Sequence, residues 1–228
     1  MDENLDLSII MPCLNEENTV GICTDEARAY IKKSGILGEV VIIDNGSLDR
    51  SAEVAAFHGA RVVREGRRGY GQALRKGIEE SRGKIIIMGD CDTTYDFYDL
   101  DKFYLPLLHG SCDIVIGNRF NREAEKGAMP IIHRLGADIL SAIARLKYGV
   151  RVRDFHCGLR GITKEAAKGL DFKTGGMEFA TEMIALASKN GLRIKEVPIG
   201  YRKCKKERHS KLKPLSDGFR HLIYIVTS

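Results

Sequence analysis

At 228 residues, with 43% hydrophobic and 29% charged side chains, the chain has the length and balance of one large globular domain, which excludes disorder and a fibrous repeat. The net charge of +5 is modest, but seven basic residues fall between Arg202 and Lys213 against the single acid Glu207, so a phosphate-bearing partner is expected there. No basic leader with an apolar run opens the chain, and no apolar stretch approaches the roughly 18 residues of a membrane span, so neither secretion nor self-spanning is expected.

Six cysteines (Cys13, Cys23, Cys91, Cys112, Cys157, Cys204) are scattered without Cys-x-x-Cys or zinc spacing, the usage of reduced thiols in a cytosolic compartment. The apolar run Leu222–Val226 stops abruptly at Ser228, which raises the expectation that a further segment has been removed.

In chain order, β-branched runs at Ser8–Met11, Val40–Asp44, Arg61–Arg64, Lys84–Gly89 and Asp113–Gly117 predict strands. Helical patterns at Glu17–Lys33, Ser51–His58 and Gly71–Ser81 lie between them. This βαβ rhythm predicts an α/β fold with a mostly parallel sheet and helices on its faces. From about Pro130 the rhythm changes to a long helix reaching Tyr148, a short run Cys157–Thr163, a helix near Glu178–Asn190 and a strand Arg193–Tyr201. No linker separates the halves, so 1–228 is read as one domain, a nucleotide half to about 120 and an acceptor half beyond it.

Ligands of such sheets collect beyond the carboxyl ends of the strands, and those positions are unusually polar. Asn15 and Glu16 follow the first strand, Asp44 ends the second, Asp90 and Asp92 follow the fourth, and Arg119 follows the fifth. Asp90-Cys91-Asp92 sits directly after an apolar strand, where two carboxylates one residue apart can hold Mg²⁺ or Mn²⁺ and through it a diphosphate. Capping of the next helix is the bland alternative. Thr94 and Asp96 lie near enough to complete the coordination or to serve the turn. Asp44 could accept from a base or a ribose hydroxyl, or simply form its turn.

Gly69-Tyr70-Gly71 is a weak match to a dinucleotide fingerprint and is read as a tight lead into a helix. No Gly-x-Ser-x-Gly elbow or P-loop is present, which disfavours a serine hydrolase and a P-loop kinase. His156 beside Cys157 is expected to be structural.

Together, Ser8–Glu17, Ile43–Asp49, Gly69–Gly77, Asp90–Asp92, Gly117–Arg119, Asp154–Arg160, Gly176–Phe179 and Glu196–Ile199 resemble the family-2 glycosyltransferases, most closely the dolichyl- or polyprenyl-phosphate mannosyl and glucosyl transferases. The resemblance covers nearly the whole chain. It implies a GT-A type fold, a UDP- or GDP-sugar donor, and inversion at the anomeric carbon with transfer to a polyprenyl phosphate. By position it implies Pro12, Glu16 and Asp44 around the nucleoside, to which Asn15 of the same rim is added, and Asp90 and Asp92 around the metal; Thr94, the third candidate ligand by its nearness, stands where such relatives often carry Gln. Arg119 and Arg134 would meet the acceptor phosphate. The basic loop 202–213 would close over both phosphates through Arg208 and Lys211, although Lys205–Leu212 departs from the familiar Arg- and Gly-rich spacing.

Two rivals stand beside this reading. One is transfer to a sugar hydroxyl, with Glu178, Glu182 or Asp154 as base; the other is a non-catalytic nucleotide-sugar or nucleic-acid binding module. The acidic rim argues against nucleic acid. Peripheral contact at the cytoplasmic face of a membrane is expected, through a lost C-terminal segment or an amphipathic helix near Asp217–Val226. The sugar, the lipid length and the oligomeric state stay open.

Overall fold

The computed structural model describes residues 5–121, 123–125, 127–129, 131–204 and 214–228. Its strands are β1 (Leu7–Cys13), β2 (Gly38–Asp44), β3 (Arg61–Arg64), β4 (Ile85–Met88), β5 (Ile114–Asn118), β6 (Arg160–Thr163) and β7 (Ile194–Pro198). The helices are α1 (Val20–Ser34), α2 (Ser51–Phe57), α3 (Tyr70–Glu80), α4 (Asp101–Leu108), α5 (Ile131–Tyr148), α6 (Lys164–Lys168), α7 (Phe179–Lys189) and α8 (Pro214–Thr227). One sheet runs in the order β3-β2-β1-β4-β6-β5-β7, parallel throughout except for β6, which is antiparallel to both β4 and β5.

Consecutive residues of β4, and nearly all of β1, are buried, so helices cover both faces, as the continuous apolar runs require. Gly77 lets α3 lie flat on the sheet. A Cβ there would come within 2.7 Å of Ile43 and 2.9 Å of Ile10. The expected strands and helices recur with ends shifted by a few residues. Helix α4 was not expected, because Pro106 stands inside it and breaks the periodic signal.

The antiparallel β6 decides the geometry of the rim. An antiparallel strand presents its beginning where parallel neighbours present their ends. Residues 154–159, which precede β6, therefore share an edge with the residues that follow β4 and β5. Arg160, level with Met88 and Ile116, fastens this turn. Its buried guanidinium donates to the carbonyls of Cys157 at 2.6 Å, Ala180 at 2.6 Å and Phe155 at 2.5 Å. These bonds join the turn before β6 to α7. Burial lowers the Arg160 pKa, yet three carbonyl acceptors compensate the buried cation.

Arg160→Met keeps the apolar stem and strands three buried carbonyls. At about 1–3 kcal/mol for each orphaned acceptor, it is expected to lower stability by roughly 3 kcal/mol or more, read as a fall in the urea midpoint. A midpoint within error of the parent would contradict this role.

Candidate active site

The loops after β1 and β2 are buttoned together before any ligand arrives. Asn15, held at φ 52°, accepts from Leu48 N at 2.8 Å, and its own N–H reaches Ser47 Oγ at 3.0 Å. Glu17 N donates to Asp49, and Glu16 N donates to Ser51 Oγ at 2.7 Å. Asn45 extends the clasp to the third loop, accepting from Gly69 N at 2.7 Å and donating to the Glu65 and Arg67 carbonyls. The clasp holds the loops that carry Glu16 and Asp44, each 7% exposed. Asp44 Oδ1 accepts from Ser47 N, and Glu16 accepts from Thr19 Oγ1 at 3.1 Å. Pro12 lies past the end of the β1–β4 ladder, which stops at Ile10 and Met88, so its missing N–H costs no bond to β4. Its carbonyl accepts from Cys91 Sγ. Asn45 was not among the expected site residues; as a turn residue it gave no sign that its amide joins two loops.

Asp90 and Asp92 leave β4 in a tight turn in which Thr93 takes φ 68°, a costly conformation for a β-branched residue. Tyr70, at the start of α3, donates its hydroxyl to Asp90 Oδ1 at 2.9 Å. Burial, with the Asp90 charge, pushes this phenol well above its usual range, so it stays protonated as the donor. Gly158 closes on the same carboxylate, where a Cβ would meet Asp90 Oδ2 at 2.7 Å. Asp92 Oδ1 accepts from Thr94 N at 3.0 Å and from Thr94 Oγ1 at 2.5 Å. Asp96 is engaged with Arg202 at 2.5 Å, and Arg202 also meets Glu26 at 3.1 Å. Asp96 thus anchors the chain after β7, and the ligand role considered for it is not supported. The Arg202 N–H and Cys204 Sγ bond the carbonyls of Thr94 and Asp92, so the strand leading into the basic segment is tied to the acidic turn.

Among the described residues no group of three or more His, Cys, Asp or Glu side chains could hold a metal by itself. Two oxygen-donor carboxylates one residue apart still suit Mg²⁺ or Mn²⁺, which commonly take one or two protein carboxylates and fill the remaining positions with phosphate oxygens and water.

Arg119 lies on the same rim, held in place from below. Its Nε and Nη2 grip Asp154 at 2.8 and 2.9 Å, and its backbone N–H adds a third bond at 3.1 Å. Asp154 is fully buried. Burial would raise its pKa, but Arg119 and these hydrogen bonds hold it below the ordinary carboxylate value. The bonds to Asp154 use Nε and Nη2, so any phosphate must be met by the remaining edge of the guanidinium. Tyr201 sits under Arg119, ring centroid 5.4 Å from Cζ, and packs against Tyr95 at 5.5 Å. Tyr95 Oη accepts from the N–H of Gly158 at 2.8 Å, the glycine that closes on Asp90, so the aromatic pair bridges the basic and acidic parts of the rim. Exposed Arg134 on α5 stacks over Phe120, 5.8 Å to its centroid. Arg208 and Lys211 lie outside the described residues.

The three carboxylates considered as bases separate. Asp154 is tied to Arg119. Glu182 caps residues 173–174, accepting from Lys173 N, Thr174 N and Thr174 Oγ1. Glu178 accepts through Oε1 from Gly176 N and from Arg220 at 2.8 Å, while its buried Oε2 has no hydrogen-bond partner among the described residues. His156 is in the same state, with neither ring nitrogen bonded among them. It meets the ring of His221 edge-on at 4.5 Å, and His221 Nδ1 bonds Thr181 Oγ1 at 2.8 Å.

The sequence pattern described as glycosyl transferase family 2 matches residues 8–170. The low-salt glycan biosynthesis hexosyltransferase Agl6 of Haloferax volcanii is 38% identical over 223 residues, covering 97% of this chain. The chain spans about half of that relative, 53% of its length. A dolichyl-phosphate hexose transferase of the same organism is 32% identical over 93% of this chain and 89% of its own length. Among solved structures, glucosyl-3-phosphoglycerate synthase of Mycobacterium tuberculosis, crystallised with Mn²⁺, UDP-glucose and phosphoglyceric acid, superposes with a TM-score of 0.77 at 25% identity. That match covers 97% of this chain and 78% of the synthase. The fold is of the GT-A type.

The histidine pair makes stability fall in mild acid. Burial pushes His221 down to about 4 and His156 well below its usual value. The unfolded chain therefore binds protons near pH 6.5 that the folded chain refuses, and stability declines as pH drops from there. For His221 alone the loss between about pH 7.5 and pH 5 is about 2 kcal/mol. Urea unfolding at the two pH values is expected to show a smaller decline in His221→Gln; parallel declines in parent and variant would exclude His221 as the source.

Proposed function

Since the chain belongs to glycosyl transferase family 2, we propose that it moves a hexose from a UDP- or GDP-sugar onto a polyprenyl phosphate of the dolichyl type, inverting the anomeric carbon. The carrying observation is the rim itself: the Asp90–Asp92 turn, reached through Gly158, and the Arg119 guanidinium flank the same Tyr95–Tyr201 pair. One side suits a cation-bound diphosphate and the other a phosphate anion. The likeness to a protein named dolichyl-phosphate hexose transferase along 93% of the chain supports the acceptor. The UDP-glucose bound by the mycobacterial synthase supports the donor class.

Glu16 and Asp44 receive the nucleoside in the clasp formed with Asn15, with Pro12 as its wall. Asp90 and Asp92 would hold Mg²⁺ or Mn²⁺, with Thr94 fixing the Asp92 carboxylate, and a cation bound there would supply positive charge to offset that gathering on the departing diphosphate. The acceptor phosphate is anionic at neutral pH and needs no general base. Its oxygen bonds to C1 while the bond from C1 to the diphosphate oxygen breaks, and the diphosphate leaves with the electron pair. Asp154 aims Arg119 at the acceptor, so two like-charged reactants are aligned at small entropic cost. Arg134 and the basic segment with Arg208 and Lys211 are assigned to the same phosphates.

One observation favours a second reading, transfer to a hydroxyl. Glu178 keeps a buried carboxylate oxygen without a partner among the described residues, which suits it to take a proton.

The deciding assay incubates the chain with Mg²⁺ or Mn²⁺, radiolabelled UDP- and GDP-hexoses, and polyprenyl phosphate in detergent, and counts label in the organic phase. Labelling is expected to fall by about 100-fold or more in Asp92→Ala and to vanish with chelator. Glu178→Gln is expected to keep it within about tenfold, since no base is needed. Label found only on a soluble sugar, and lost in Glu178→Gln, would replace the lipid-phosphate acceptor with a hydroxyl.

A further inference from the structure

Tyr70 stands between two glycines, and the packing requires both. A Cβ on Gly69, whose φ is 141°, would collide with the Gly175 carbonyl oxygen, and one on Gly71 would lie 2.7 Å from that of Thr174. The start of α3 therefore sits flush on the 174–176 backbone, where Gln72 N also donates to the Gly175 carbonyl at 3.3 Å. This close approach fixes where Tyr70 points, and its hydroxyl donates to Asp90 Oδ1 at 2.9 Å. On Asp92, Oδ1 likewise accepts from Thr94 N and Thr94 Oγ1. In each carboxylate of the acidic turn one oxygen is thus engaged by a protein donor. Gly158 stands beside the other oxygen of Asp90, where a Cβ would come within 2.7 Å of Oδ2, so the turn before β6 lays no side chain over it.

We propose that Tyr70 is a positioning residue that decides which cation the Asp90–Asp92 turn accepts: by holding Oδ1 it makes Asp90 a one-oxygen ligand, which favours Mg²⁺ or Mn²⁺ over Ca²⁺. This role rests on the reading of the turn as the cation site. Mg²⁺ demands a near-octahedral shell and is held by one or two carboxylates together with water and phosphate oxygens. Ca²⁺ takes a looser shell of roughly six to eight oxygens and often both oxygens of one carboxylate. An oxygen that already accepts a phenolic hydrogen bond is a poor second tooth, because turning the carboxylate to chelate would break that bond. Thr94 restricts Asp92 in the same way through two donors. Partners that orient a ligating group from outside contribute roughly 10- to 100-fold to metal affinity. Gly69 and Gly71 belong to the same device, since a side chain at either position would lift Tyr70 away from the turn.

The test titrates the 228-residue chain with Mn²⁺ alone, follows the loss of the free-ion electron paramagnetic resonance signal, and then displaces the ion with Ca²⁺. The parent is expected to prefer Mn²⁺. Tyr70→Phe keeps the ring and loses only the hydroxyl. It is expected to bind Mn²⁺ roughly tenfold more weakly with Ca²⁺ affinity unchanged or raised, so the preference narrows by about tenfold or more. Tyr30→Phe breaks a comparable phenol-to-carboxylate bond, from α1 to Asp101 at 2.9 Å, and is expected to keep both affinities at the parent's values. A preference that Tyr70→Phe leaves intact overturns the proposal while the cation assignment stands, and an equal loss in Tyr30→Phe overturns it as a mere effect of stability. Should Tyr70→Phe not fold, the parent still decides, because equal affinity for the two ions contradicts a one-oxygen Asp90. Mn²⁺ that the parent does not bind, or that Asp92→Ala binds equally well, defeats the cation assignment itself and this role with it.

Discussion

The buried ion pair of Arg119 and Asp154 joins two segments 35 residues apart, and the rim has its shape because of it. Asp154 is fully enclosed, a position that would be prohibitive for a lone carboxylate; three hydrogen bonds from Arg119 make it tolerable. Glu196 completes the arrangement by accepting from the Arg153 and Asp154 backbone N–H groups at 2.8 Å and from Asn118 at 3.2 Å. The ends of β5 and β7 and the turn before β6 are thereby locked to one another. A guanidinium so restrained loses little freedom when it meets an anion.

The opposite flank reaches a similar rigidity by a different route. Around the loops after β1 and β2 the work is done by neutral amides and hydroxyls: Asn15, Asn45, Ser47 and Ser51 each bond main-chain groups of a neighbouring loop. Short polar side chains can tie turns without adding charge beside Glu16 and Asp44. In the acidic turn, Thr94, Tyr70 and Gly158 restrain the two carboxylates, one by capping, one by a phenolic hydrogen bond and one by close approach. Like charges held this near one another gain from a divalent partner. Arg202 connects this turn to the strand end at β7 through Glu26 and Asp96, so the two flanks are mechanically continuous.

Helices α5 and α8 pack side by side in the second half of the chain. They face the core with Ser141, Ala144 and Tyr148 of α5 and His221 and Ile225 of α8, and they also carry large apolar residues on the outward side, among them Ile139, Leu146 and Phe219. The exposed apolar side distinguishes them from α3, whose apolar residues Ala73, Leu74 and Ile78 are buried. His221 and Arg220 fasten α8 onto the 176–181 region through Thr181 and Glu178, so the helix that follows the basic segment is held to the start of α7.

The sequence by itself determined the family, the α/β class and nearly every strand, because the apolar runs Ile9–Met11, Val40–Ile43 and Ile85–Met88 permit little else in a sheet buried on both faces. It also marked Asp90, Asp92 and Arg119 as rim residues, since position after a strand is a local property. Helix α4 was hidden by Pro106, and the partners of Asp96, Glu182 and Arg119 were hidden because each bond joins segments whose proximity no local pattern encodes. Only the tertiary structure decided that β6 enters antiparallel between β4 and β5, bringing Asp154 to Arg119 and Gly158 to Asp90. It likewise decided which carboxylates are consumed by structural bonds, and which apolar residues of α5 and α8 face outward. Helical spacing reveals that a helix has an apolar stripe; the packing of its neighbours determines whether that stripe is buried.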